Sequence, residues 1–166
     1  MPAEEAQVKI SYNNSNAFFD FGNVKLICRL IDARFPDYMA VIPTENPNKL
    51  TIGTNDLLSS LRRLVVLSNK TTHQATLKMN GSELQINARD LDFSNEGNET
   101  LTWQYSGEDM EIAFNAKFLI DMLTSMNEDE VLLSMSTPSR ACIMTPVQPK
   151  DNEDLLMLVM PIMVNV

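Results

Sequence analysis

Three stretches of this chain share one pattern, and a repeat restricts the possible folds more than any single motif does. The first is VKISYN, NAFFDFG and NVKLICRLI; the second ATLKMNG, ELQINARD and ETLTWQYSG; the third EVLLSMS, ACIMTP and LLMLVMPI. Within each, apolar residues recur at every second position, as Val24, Leu26, Cys28 and Leu30 do. That is the period of a strand with one buried face. The links NNSN, NGSE and TPSR carry the residues that reverse a chain. Each stretch is therefore predicted to be a three-stranded antiparallel meander.

The second and third meanders each follow a strand and a helix. KLTIG runs into NDLLSSLRRLVVLSN, and MEIAF runs into NAKFLIDMLTSM, with Asn55 and Asn115 placed to cap the two helices. The unit is strand, helix, three strands, and two full units run from about Asn48 to Val166. The fold class is α+β, with helices on one side of antiparallel sheets. The first meander has only MPAEEAQ ahead of it. A three-stranded sheet buries little without a second layer, so the chain is expected to begin part-way through a domain. A self-contained small sheet is the alternative.

On a wheel of 100° per residue, Leu57, Leu58, Leu61, Leu64 and Val65 form a core stripe on the first helix, with Arg62 and Arg63 outside it. Val66 and Leu67 also lie outside, covered either by a neighbouring strand or by another chain. On the second helix Phe118, Leu119, Met122, Leu123 and Met126 share a face, opposite Lys117, Asp121 and Thr124. Arg62, Arg63 and Lys117 could meet phosphates, but three bases are a weak signal.

Composition excludes some functions. Net charge is −9, from 22 acids and 13 bases, which argues against nucleic-acid affinity driven by bulk charge. The 44% hydrophobic content suits an ordinary core. No apolar run approaches the roughly 18 residues of a membrane span, and no secretory leader pattern opens the chain, so a cytoplasmic location and no membrane partner are expected. Cys28 and Cys142 sit in strand alternations outside any metal-ligand spacing and read as reduced core thiols. His73 stands in the turn-like NKTTHQ and reads as a surface residue. No phosphate-loop, dinucleotide, zinc or nucleophile-elbow motif occurs, so no catalytic residue, metal or cofactor is expected. Acid pairs such as Glu108 and Asp109, or the run Glu128 to Glu130, leave a carboxylate-dependent hydrolase as a third reading.

DARFPDYMAVIP (Asp32 to Pro43), LSN after the first helix (Leu67 to Asn69), YSGEDMEIAFNAKFLIDML (Tyr105 to Leu123) and LVMPI near the end together resemble the bacterial DNA polymerase III beta subunit family, the replication sliding clamps. The resemblance covers essentially the whole chain. It implies the DNA-clamp fold, with residues 1–43 the end of a second clamp domain plus linker and 44–166 a complete third domain. It implies a non-catalytic processivity factor, a subunit of a two-subunit ring around duplex DNA with helices lining the hole. Topology then replaces charge as the hold on DNA, which suits an acidic chain.

By the same resemblance Arg62, Arg63 and Lys117 face DNA, and Val66, Leu67, Glu96 and Glu99 lie in the homodimer interface. A pocket for Gln/Leu/Phe-rich linear peptides is implied at Pro36, Ala40, Val41, Arg140, Leu158, Val159, Met160, Pro161 and Ile162, bordered by Asn115 and Phe118. Its ligands would be the polymerase III alpha subunit, the clamp-loader delta subunit, other polymerases and repair proteins. Two departures stand out: many relatives carry arginine where Ala40 stands, and the chain runs on through Met163 to Val166. An unrelated α+β interaction module without a DNA role is the runner-up.

Overall fold

The structure, a computed structural model, describes residues 7–81 and 83–163. They divide into two compact units on either side of the Asp37–Tyr38 bond. The first unit is an antiparallel sheet of β1 (Lys9–Tyr12), β2 (Asn16–Asp20) and β3 (Lys25–Arg29), ordered β1-β2-β3. Asn13 shapes its first turn, its Oδ1 accepting from the N–H groups of Ser15 and Asn16. None of residues 7–37 is buried.

The second unit carries the core. Its first half-unit is β4 (Asn48–Gly53), α1 (Thr54–Leu64), β5 (Gln74–Asn80), β6 (Glu83–Asp90) and β7 (Asn95–Leu101). A short strand, β8 (Gln104–Ser106), leads on. The second half-unit is β9 (Met110–Asn115), α2 (Ala116–Ser125), β10 (Glu130–Met135), β11 (Cys142–Pro146) and β12 (Met157–Val159). The strand orders are β12-β11-β10-β4-β8 and β7-β6-β5-β9.

The half-units exchange their first strands. β4 pairs with β10 of the other half, Gly53 opposite Glu130, and β9 pairs with β5, Asn115 opposite Gln74. The helix starts match: Thr54 N–H donates to Asp129 O and Ala116 N–H to His73 O, both at 2.8 Å. The ends match as well. After β7 the chain crosses at Thr102 and Trp103, so that Gln104 in β8 pairs with Thr51; after β12 it crosses at Met160 and Pro161, and Ile162 pairs with Ala113. Thr51 and Ala113 each lie three residues before a helix. A pseudo-two-fold therefore relates the half-units.

One core joins both sheets to both helices, with Leu57, Leu61, Leu64, Leu119 and Leu123 meeting Leu50, Leu77, Ile86, Phe114, Leu133 and Met144. Each such side chain contributes roughly 1.5–3 kcal/mol by leaving water. The two helices also pack on each other.

Several expectations need correction. Phe118 is not core; it is 58% exposed. Asn55 does not cap α1, because the N-cap falls two residues earlier, on Gly53, which has no side-chain acceptor. Asn115 does cap α2, accepting from Lys117 N–H at 3.0 Å. The third strand of the second meander is two strands in different sheets, β7 and β8, with Trp103 stacked on Tyr105 at the crossing, ring centroids 4.7 Å apart. Cys142 is fully buried, and burial pushes its thiol up to about 12, whereas Cys28 is only half-buried. His73 is half-buried, with φ 47° and an enclosed Nδ1 that has no hydrogen-bond partner.

Candidate functional site

The two readings of Val66 and Leu67 divide between the two residues. A 3-10 turn over Val65–Leu67 continues α1. It points Leu67 at β7, where a Cβ on Gly97 would lie 2.6 Å from Leu67 Cδ1 and 2.9 Å from Leu64 Cδ2. A side chain at position 97 would make both leucine methyls shift. Leu67 thus packs on β7 of the same chain and is half-buried, while Val66 is 65% exposed.

Charged residues expected at two different surfaces meet each other. Arg63 grips Glu99 of β7 with Nε on Oε1 at 2.7 Å and Nη2 on Oε2 at 2.6 Å. The guanidinium holds the Glu99 carboxyl below its usual range, and Glu99 raises Arg63 in turn, in each case first through the hydrogen bond. Arg89 pairs with Glu96 across the β6–β7 register at 3.1 Å. Arg62 reaches Thr124 Oγ1 on α2 at 3.4 Å, and Lys117 is exposed on the first turn of α2.

The chain's end joins α2 through one strand. β12 pairs with β11, Cys142 opposite Val159, so Val159 is buried while Leu158 is half-buried. After Met160 and Pro161, Ile162 N–H donates to Ala113 O at 2.7 Å. Ala113 lies two residues before Asn115, and β12 packs on α2. The tail residue Ile162 thereby lies beside the strand that leads into Asn115 and α2. Phe118 and Met160 are each 58% exposed. The 3-10 turn Tyr38–Val41 exposes Ala40 and Val41, and Arg140 lies exposed in the turn before β11. Pro36 belongs to the first unit and is exposed.

Residues 39–163 match the family model for the DNA polymerase III beta subunit, C-terminal domain. The chain belongs to that family. It is 28% identical over 162 residues to the beta sliding clamp of Vibrio cholerae, covering 98% of this chain and 43% of that protein. The beta sliding clamp of Proteus mirabilis is 34% identical over 131 residues, 78% of this chain and 35% of its own length. Among solved structures, the Bartonella birtlesii sliding clamp bound to griselimycin superposes with a TM-score of 0.83 at 28% identity, covering 95% of this chain and 41% of that one. The chain thus spans about two-fifths of the length of the full clamps it matches.

Within this clamp-family chain, sequence reasoning overlooked Asp90, which is 1% exposed and accepts from Asp92 N–H at 3.1 Å. Its signal was parity, since it shares the inward side of β6 with Leu84, Ile86 and Ala88. Also overlooked was Asn48, whose Nδ2 donates to Ser136 O while its Oδ1 accepts from Glu108 N–H. A groove of ≈ 500 Å³ is lined by Gln74, Thr76, Asn87, Arg89, Glu111 and Met163, so it adjoins the chain's end just past Ile162. Among the described residues no three of His, Cys, Asp or Glu are grouped to hold a metal, and no helix is long and apolar enough to cross a membrane.

Proposed function

We propose that this chain serves in a non-catalytic processivity factor of a bacterial replicative polymerase, as part of a dimeric ring that encircles duplex DNA in the cytoplasm. The family membership of residues 39–163 carries the reading. In it residues 44–166 are a third clamp domain and residues 1–43 the end of a second. The paired helices offer Arg62 and Lys117 to the DNA phosphates, and Arg63 acts mainly through Glu99. Modest positive charge on a ring leaves contacts loose enough for sliding, because escape is blocked by topology.

Peptides rich in Gln, Leu and Phe, from the polymerase alpha subunit, the clamp-loader delta subunit, other polymerases and repair proteins, dock at one end of the domain. Two exposed apolar side chains, Phe118 and Met160, support this placement, because an apolar anchor needs such a surface and a methionine adapts to several ligands. The griselimycin complex of the Bartonella relative supports a ligand site on this family's surface. Ala40, where many relatives have arginine, leaves that rim without a charge. At the ring interface Val66 is the apolar contact, Leu67 positions the turn, and Glu96 and Glu99 border it, each already paired with an arginine.

The test is binding of a Gln-Leu-rich pentapeptide to the protein and to its Phe118→Ala and Met160→Ala variants. Both side chains are exposed, so the fold should survive. Each variant is expected to bind about tenfold more weakly, the loss of one buried apolar anchor. Equal affinity throughout would sink the pocket assignment.

A further inference from the structure

The β5–β6 hairpin turns on the chain's only Asn-Gly pair, Asn80–Gly81. Asn80 ends β5 opposite Glu83, both Asn80 and Gly81 are exposed, and Gly81 has φ 54°. Backbone conformation alone calls for glycine here, since a Cβ on Gly81 would meet nothing within 4 Å. The Gly81 N–H donates to Asp109 Oδ1 at 3.0 Å, tying the hairpin tip to the residue before β9.

We propose that Asn80 is a site of spontaneous deamidation whose rate is held down by Asp109. The Gly81 amide nitrogen, once its proton has passed to hydroxide, attacks Asn80 Cγ. The N–Cγ bond forms, the Cγ–Nδ2 bond breaks, and the side-chain nitrogen takes a proton from water, restoring the hydroxide, and leaves as ammonia. Water then opens the cyclic imide at either carbonyl, giving aspartate or isoaspartate. Among the chain's asparagines, only Asn80 is followed by a residue with no side chain to shield the attacking nitrogen. Its exposure admits the water that both steps need.

Asp109 opposes the step twice. A carboxylate acceptor stabilises the protonated amide through a charge-assisted hydrogen bond. Its negative charge also disfavours the amide anion that must form. Once formed, a carboxylate at position 80 would stand with Glu83 and Asp109 at the same hairpin tip, and isoaspartate would lengthen the turn by one backbone carbon. Either product works against the Gly81–Asp109 tie.

The experiment incubates the protein in mildly alkaline buffer, digests it, and follows the Asn80 peptide by mass spectrometry, with the Asn14–Ser15 turn as internal reference. Acid is expected to appear at residue 80 as two isomers, aspartate and isoaspartate, and faster than at Asn14. Asp109→Ala is expected to raise the native rate about tenfold, the loss of one hydrogen bond to a charged group. Asp109→Asn, which keeps the shape without the charge, should also accelerate it. In urea all three proteins should react alike. A rate at Asn80 no greater than at Asn14 would overturn the site. An unchanged rate in both variants would overturn the restraint, and a slower one would make Asp109 a base instead.

Discussion

The meanders β1–β3 and β10–β12 are written in the same alternating pattern, yet they end in opposite states. In the later one Val131, Leu133, Met135, Cys142, Met144 and Val159 are all buried. In the earlier one Val24, Leu26 and Leu30 remain 56%, 49% and 41% exposed, and Cys28 is half-buried. Hydrogen bonding does not separate them, since both are regular antiparallel ladders. The difference is the layer above. β10–β12 belong to the core shared with α1 and α2, whereas residues 7–37 contain no helix. Alternation makes a strand with an apolar face, and burial, which supplies the stability, requires a second element.

The widest gap is expected between Leu133→Ala and Leu26→Ala. The first opens a cavity and should cost about 2–5 kcal/mol in denaturant unfolding, while the second should stay within about 0.5 kcal/mol. A comparable loss at Leu26 would mean that the first meander is covered in solution.

The two cysteines repeat the contrast. Cys28 should alkylate in the native protein, and Cys142 only on unfolding. Because burial raises the Cys142 thiol from 9.0 to about 12, its neutral form favours the native state. That contribution is complete below pH 9 and is lost as pH rises toward 12, so Cys142→Ala should flatten the alkaline decline in melting temperature. An identical decline in both proteins would contradict the burial argument.

Smaller again is the helix-cap pair. Asn115→Ala should cost about 1 kcal/mol, and Asn55→Ala only a few tenths, as measured by chemical denaturation. The smallest effect concerns Glu99. Its carboxyl is held low in the folded state, so the stabilisation is present above the ordinary carboxylate range and fades as pH falls through the lowered value. Glu99→Gln should therefore differ from the parent at neutral pH and converge with it in acid. A gap that persists in acid would point to packing instead.

The strand pattern and both helices were legible because periods of 2 and 3.6 residues are local properties of the chain. Phe118 misled the helical wheel, which reports that residues share a face but not how wide a face the neighbours cover. Asn55 misled because a good capping residue is only one way to satisfy a helix N-terminus. At α1 the carbonyl of Asp129 takes the Thr54 N–H, as that of His73 takes the Ala116 N–H at α2, but the N-cap position falls on Gly53, which has no side chain to add. Arg63 and Glu99 lie 36 residues apart, and no local rule joins them.

The sequence by itself determined the two repeated half-units, the family, and which residues could face inward on each element. The tertiary structure decided which of those faces found cover. It exchanged the first strands between half-units, turned Leu67 onto Gly97 while leaving Val66 in water, and carried Met160 and Pro161 across so that Ile162 could pair with Ala113. The physical reason is range: periodicity acts between residues a few positions apart, whereas burial and pairing act between segments that only folding brings together.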